Sequence, residues 1–429
     1  MRIGRVLAFL VVLLFSATSA MAAGFRLPEA GAKAMGMGFA FTAQADDPSA
    51  IYFNPAGIIQ LEGTNAKVGV TFIRENGAEF TGITPLTGGA SVSETQKDLD
   101  FFVPNAFITR KHSPHFAYGV GIFVPFGLGQ EYNDPNTSIF RNQITKIDLM
   151  TLVVNPTVAW KINDVLAVGA GVDFMYGKAE LKRTPFNPAL GGNLYNSSLE
   201  GDGTAWGYNF GLLLTPSPNW KVGFAHRSGF DLDIKNGDVE IRNIGAATSA
   251  LFFGGATSFD TKGNATVRMP ATTGLGIAYV RNRLTLEVDA DYTWWHSYKN
   301  LRVEITDPRP PVLVTTDSDK NWIDTVAIYV GGEYRVTDPL ALRLGVRYDP
   351  YAAPADTLGP ELPDSTRMYY SAGAGYKVSN WIFDLSYMYV DRKDRSASNI
   401  RTEGANPVGF NGEWKGDAHL VAFDVGYKF

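Results

Sequence analysis

Residues 284–294 read LTLEVDADYTW. Leu284, Leu286, Val288, Ala290, Tyr292 and Trp294 alternate with Thr285, Glu287, Asp289, Asp291 and Thr293, an apolar face against one that carries carboxylates. A period of two is the period of a β-strand, whose successive side chains point to opposite faces. The pattern recurs at residues 340–349, where Leu340, Leu342, Leu344, Val346 and Tyr348 alternate with Ala341, Arg343, Gly345, Arg347 and Asp349. It recurs again from Trp381 to Tyr389, with Asp384 and Ser386 on the polar side. A water-soluble sandwich alternates in the same way, so the pattern alone leaves the class open.

The connections narrow it. Fourteen strands are predicted, near 65–75, 99–112, 115–127, 149–162, 164–180, 203–216, 219–231, 264–281, 283–298, 320–336, 338–349, 367–379, 380–391 and 417–429. Six connections, at Ser113-Pro114, Asn163-Asp164, Ser217-Pro218, Arg281-Asn282, Thr337-Asp338 and Ser379-Asn380, are tight turns. They alternate with seven long connections, the longest running from about 232 to 263. Short turns at one end and long loops at the other mark an outer-membrane β-barrel. Trp160, Trp220 and Trp381 fall at short-turn ends, and Trp206, Trp294, Trp295, Trp322 and Trp414 near long-loop ends, as two aromatic girdles require. The last strand sets Val421, Phe423, Val425, Tyr427 and the terminal Phe429 on one face, the end expected to engage the barrel-assembly machinery. Closure is obligatory, because an unpaired backbone group facing lipid costs several kcal/mol.

Composition sets the other bounds. The 429 residues include 45 glycines and no cysteine, with 45% apolar and 19% charged residues. Length by itself suggests two or three domains, and mean hydropathy is only −0.07. A net charge of −5 gives no basic footprint for nucleic acid, and zero cysteines exclude disulfide frameworks and thiolate metal sites. Arg2 and Arg5, the apolar run Val6 to Phe15 and Ala20-Met21-Ala22 read as a cleavable signal peptide over residues 1–22, with Ala23 as the mature start. No later stretch reaches 18 consecutive apolar residues, so helical spanning is not expected. Five scattered histidines, with no Gly-x-Ser-x-Gly, HExxH or GxxxxGK, speak against an enzyme, a metal or a cofactor.

Residues 23–64 do not alternate. Asp46-Asp47-Pro48 predicts a helix start, since Pro suits the first helical position, and Asn54-Pro55 stops that helix early. Small residues and short helices suit a plug inside a lumen; on the residues alone a loose periplasmic tail is the alternative. The third strand is unusual as well, with Gly119, Gly121, Pro125, Gly127 and Gly129, and Pro104 on its neighbour. Proline cannot donate to a ladder and glycine permits a kink.

Ala23-Gly24-Phe25, Ala34-Met35-Gly36, Asp46-Asp47-Pro48-Ser49, Phe53-Asn54-Pro55-Ala56-Gly57 and Val124-Pro125-Phe126-Gly127-Leu128 together resemble the FadL family of outer-membrane hydrophobic-compound transporters. The resemblance implies an all-β fold: a 14-stranded antiparallel barrel over 65–429, plugged by a partly helical hatch over 23–64. It implies a gate at Phe25, Asn54, Pro55 and Ala56, and a lateral opening at the third-strand kink around Gly119, Gly121, Pro125 and Gly127. Ligands would be long-chain fatty acids or aromatic hydrocarbons, first captured by two extracellular loops. By loop order these would offer Phe186, Leu190, Leu251, Phe252 and Phe253, which on their own chemistry equally suit self-packing between loops.

A carboxylate ligand needs an unpaired cation, since burying an anion alone is costly; Lys161, Lys178, Arg227 and Arg268 are the candidates. Asp173, Arg227, Glu287, Asp289, Asp291, Arg335, Arg343, Arg347, Asp384 and Asp424 are read as inward, and first as ion pairs bracing the wall. The setting expected is the lipid of a Gram-negative outer membrane, the chain a monomer. A porin for polar solutes is the rival reading, and an outer-membrane enzyme the more distant one.

Overall fold

The computed structural model describes residues 24–403 and 406–429; the expected signal peptide lies outside the described residues. Alternating apolar and polar residues form one closed antiparallel barrel of fourteen staves among the described residues. In chain order these are β1 (Thr64–Glu75), β2 (Leu99–Ser113), β3 (Phe116–Phe123 and Gly127–Glu131), β4 (Lys146–Lys161), β5 (Leu166–Arg183), β6 (Asn196–Ser217) and β7 (Trp220–Arg227 and Phe230–Arg242). Then follow β8 (Phe259–Met269 and Thr272–Arg281), β9 (Leu284–Thr293 and Asn300–Ile305), β10 (Thr316–Asp319 and Thr325–Arg335), β11 (Leu340–Asp349), β12 (Arg367–Val378), β13 (Trp381–Ser398) and β14 (Asn411–Lys428). The ring closes where β1 pairs with β14, from Asn65↔Lys428 to Glu75↔Ala418. All fourteen expected strands are present. The length-based expectation of two or three domains is corrected, because one barrel takes most of the chain.

Besides the kinked β3, four strands differ from the expected unbroken runs: β7, β8, β9 and β10 are each interrupted. Strand β7, which runs to Arg242, and β8, which starts at Phe259, extend into the stretch expected as the longest loop. Pro270 falls in the β8 break, where it has no ladder hydrogen to give. The girdles need a correction too. Trp160, Trp220, Trp381, Trp206 and Trp294 are exposed on the outside, whereas Trp295, Trp322 and Trp414 are buried. Of the inward charges, Arg335 is the exception: it is exposed and donates to the Asn282 carbonyl at a short turn.

Residues 24–60 fill the lumen. Helix α1 (Ala32–Gly36) and helix α2 (Ala50–Phe53) are single turns, followed by a 3-10 helix over Pro55–Gln60. Asn54-Pro55 does end α2, and it also begins the next turn. Asn54 Oδ1 accepts from the Ala56 N–H at 3.2 Å, with Pro55 at the first position, where no N–H is needed. Segments this short have no stability as isolated helices; the barrel wall holds them.

The wall holds the hatch through apolar clusters and through directed polar contacts. Glu287 accepts from the N–H groups of Ala43 and Gln44, and Asp289 from those of Phe41 and Thr42, at 2.6–2.9 Å. Asp424 Oδ2 accepts from Ala32 N–H at 2.7 Å and from Lys67 at 2.8 Å. Other inward charges pair within the wall, as Arg343 does with Glu333 and Asp384, and Arg227 with Asp173. The bracing role assigned to inward charges is therefore split, and much of it serves the hatch backbone. Inward glycines let the two approach: a Cβ on Gly211 would lie 2.0 Å from Asn54 Oδ1, and one on Gly169 2.4 Å from the Ala56 nitrogen.

Candidate functional site

The third stave builds the first half of the site. Its lower part pairs with both neighbours, and the β2–β3 ladder stops at Ala106↔Ile122. The β3–β4 register shifts between Phe123↔Val153 and Gly127↔Met150, so residues 124–126 leave that ladder as well. Thr151 repairs the break with its side chain, accepting from Phe126 N–H and donating to the Phe126 carbonyl at 2.6 Å. On the other edge, contact with β3 resumes just before β2, where Lys97 N–H donates to the Glu131 carbonyl and Gln96 forms a β-bridge with Tyr132. Between these two points β2 and β3 share no ladder, which leaves a gap, or window, in the pairing of the wall.

The hatch N-terminus occupies the vacated edge. Leu27 N–H donates to the Pro125 carbonyl at 2.8 Å, and Gly127 N–H to the Phe25 carbonyl at 2.9 Å, with Arg26 and Phe126 as antiparallel partners. An extended segment added to an exposed strand edge satisfies backbone groups that would otherwise face an apolar medium. Phe25 fixes the segment. Its ring lies 5.0 Å from Trp295, 5.3 Å from Tyr298, 5.8 Å from Trp322 and 6.0 Å from Phe126, centroid to centroid. Gly24 N–H reaches Asp364, and Arg26 is paired with Asp291 at 2.6 Å.

The second half lies at the long-loop end, where a cavity of about 440 Å³ opens. Leu181, Leu199, Val239, Val303, Ile305 and Leu313 supply its apolar wall, and Lys182, Arg183, Lys320, Glu361 and Arg401 its polar lining. Lys320 is bound to Glu361, and Lys182 to Glu180 at 2.7 Å. Arg183 has no carboxylate partner among the described residues, and it stands next to the Tyr195 hydroxyl. A volume in the few-hundred Å³ range with an apolar wall and few polar groups is typical of small-molecule sites.

Residues 13–429 match the family described as outer membrane protein transport protein (OMPP1/FadL/TodX). The chain belongs to this family. A long-chain fatty acid transport protein of Escherichia coli is 25% identical over 452 residues, covering 98% of each chain. The crystal structure of a Pseudomonas aeruginosa FadL homologue superposes with a TM-score of 0.81 at 21% identity, over 95% of this chain and all of that one. The Ralstonia pickettii toluene transporter TbuX superposes at 0.67 with 18% identity, over 93% of this chain and 98% of the other. These two likenesses concern the fold.

Within this FadL-family barrel the expected site residues fall into separate places. Phe25, Pro125 and Gly127 meet at the window. Gly119 and Gly121 lie below it, in the regular part of β3, where a Cβ would press on Ile51 of the hatch at 3.0 and 2.9 Å. Asn54 is wholly buried and ties the hatch to itself and to β6, donating to the Thr42 and Leu212 carbonyls. Pro55 and Ala56 continue from it against β5 and β6.

The loop residues Leu190, Phe252 and Phe253 pack in one cluster with Tyr195, Ile241 and Leu313, beside helix α3 (Ala246–Phe252). Phe186 lies under the Arg141 guanidinium at 4.4 Å, and Leu251 is exposed. Leu199, Val239 and Leu313 belong both to this cluster and to the cavity wall, so loop packing and cavity formation coincide.

None of the four expected cations lines that cavity. Lys161 pairs with Asp164 at a short turn, Lys178 with Glu200 on the outer face, Arg227 with Asp173 beneath the hatch, and Arg268 lies 4.0 Å from Asp231 on the outer face. Arg183 was missed, although its odd position on β5 is the parity of the inward residues Asp173 and Met175.

Proposed function

We propose that the chain takes up long-chain fatty acids or aromatic hydrocarbons across the outer membrane. Ligand enters the extracellular cavity, an acid head against Arg183 and the chain along Leu181, Leu199 and Val239. It then passes to the lumen, the hatch segment around Phe25 leaves the β3 edge, and the ligand exits sideways into the bilayer. The partners of this route are outer-membrane lipid and an apolar small molecule. Assembly is expected to use the C-terminal strand, whose exposed Phe429 stands at the rim, and a monomer suffices.

The observation that carries this reading is the pairing of residues 25–27 with the free edge at 125–127. A wall opening sealed by a short, non-covalent segment is a place where a ligand can compete. The polar-solute porin has less support, since hatch residues Ala34, Met35, Phe39 and Phe41 fill the lumen with buried apolar side chains. The test restores the ladder: residues 124–127 rebuilt with Val and Thr as a regular strand. Uptake is expected to stop while the barrel still assembles and resists room-temperature SDS. Normal uptake by that variant would refute the lateral route.

A further inference from the structure

The lower corner of the window holds a side chain that its surroundings do not explain. Asn105 precedes the point at which the β2–β3 ladder resumes. It belongs to the inward row Phe101, Val103, Asn105, Phe107 and Thr109. It is 2% exposed, yet neither Nδ2 nor Oδ1 has a hydrogen-bond partner. An unsatisfied buried polar group costs about 1–3 kcal/mol, and an aliphatic residue would fill the same position without that penalty.

The neighbours sharpen the anomaly. Across the β1 ladder stands Gly69, which offers no side chain. The hydroxyls of Thr71 and Thr109 on the same inner surface are also buried and unpartnered. Lys67 on β1 is taken up by Asp47 and Asp424 at 3.0 and 2.8 Å. Asp424 lies over Gly69, where a Cβ would stand 1.8 Å from its Oδ1, and that oxygen is buried and unpartnered too. The surroundings of Asn105 thus hold a carboxylate oxygen and hydroxyls, with the Lys67 cation already committed, which disfavours a second anion.

We propose that Asn105 is a binding site for the neutral, hydrogen-bonding head of a ligand in transit through the window; for a fatty acid this is the protonated carboxylic acid. The inference rests on the lateral route proposed above. A primary amide sets a donor beside an acceptor, and a –COOH group is its complement: Nδ2–H donates to the acid carbonyl, and the acid O–H donates to Oδ1. A carboxylate has acceptors only and would face Oδ1 with a charge. Moving an anion from water into hydrocarbon is far more costly than moving the neutral acid. A cation at the cavity and an amide at the exit therefore suit the two states in which the same head group travels. No bond in the protein changes; the carboxylate takes a proton from hydronium, leaving water, at the solvent-open cavity as it leaves Arg183.

The test uses the full mature protein in proteoliposomes, with Asn105→Leu, close in volume, as the variant. Uptake is measured for a C16 fatty acid, the C16 alcohol and toluene, alongside thermal unfolding. The variant is expected to take up the acid and the alcohol about ten-fold more slowly, to move toluene as the wild type does, and to unfold at the same or a higher temperature, because an orphaned amide has gone. Equal slowing of all three ligands, or a lowered unfolding temperature, assigns Asn105 to structure and overturns the inference. An unchanged acid-to-toluene ratio overturns it too, with the lateral route left standing. Failure of the wild type to move any of the three strikes the proposed function instead.

Discussion

Replacing Phe25 with Ala tests whether the window is held shut by a latch. The ring is 2% exposed and stands within about 6 Å, centroid to centroid, of Trp295, Tyr298, Trp322 and Phe126. Truncating a buried Phe to Ala costs about 3–5 kcal/mol. In a folded barrel that loss falls mostly on the docking of residues 24–28, because the wall does not depend on Phe25 for its ladder. About 4 kcal/mol corresponds to roughly three powers of ten in the docked-to-undocked ratio. Two backbone bonds, Leu27 to Pro125 and Gly127 to Phe25, report the change directly. Amide exchange at Leu27 and Gly127 is expected to accelerate by that order in the variant, while amides of the β11–β12 ladder keep their protection. Conductance in a planar bilayer should show more frequent brief openings. If both amides exchange at wild-type rates, the aromatic box does not hold the segment and the latch argument fails.

Two further outcomes follow from the same contacts. A Cβ at Gly345 would stand 2.1 Å from both the Met37 carbonyl carbon and the Gly38 nitrogen; Gly345→Val is therefore expected to displace the hatch and raise small-solute leak, while the barrel still migrates as a folded band in SDS without heating. Burial pushes the Glu29 carboxyl up to about 7, against the opposing pull of Arg347, Arg26 and Arg367. A docked value above the ordinary 4.5 means that docking is strongest below pH 4.5, weakens as pH rises toward 7 and is level above it, a span of about 3 kcal/mol. Hatch docking followed by Leu27 amide exchange, corrected for intrinsic rates, should show that slope, and Glu29→Gln should flatten it.

The strands and short turns were legible because each face of a lipid-exposed strand meets a different solvent. A period of two is then imposed along most of its length, as in residues 284–294. Trp294 follows the last residue of the first β9 run and is exposed, whereas Trp295 opens a 3-10 turn in the β9 break and is buried; reading both as girdle residues carried the strand past its end. Lys178 shares the parity of the outward Phe174 and Tyr176, whereas Arg183 has the opposite parity and lines the cavity. Pro270 lay inside a run predicted as continuous, and its missing N–H already marked a break. The pairing of residues 25–27 with the kink was not readable, because a three-residue segment carries no periodic signal and its hydrogen bonds are made by backbone.

The same reasoning accounts for an inner wall rich in carboxylates in a barrel read as a carrier of apolar compounds. Charges matched only to one another would leave the hatch as a loose ball of short helices. Glu287, Asp289 and Asp424 instead accept from backbone N–H groups at residues 32 and 41–44. Such bonds to a charged acceptor are worth about 1.5–3 kcal/mol each. They lie on β9 and β14, whereas the contact of Ile51 with Gly119 and Gly121 on β3 is apolar and without direction. The carboxylate attachment of residues 32 and 41–44 is separate from the docking of residues 25–27 on β3, which rests on two backbone bonds and the Phe25 ring. On the proposed lateral route, a ligand that displaces only the residues around Phe25 would open the wall without unseating the plug, and the barrel would not need to become a water-filled pore during transport.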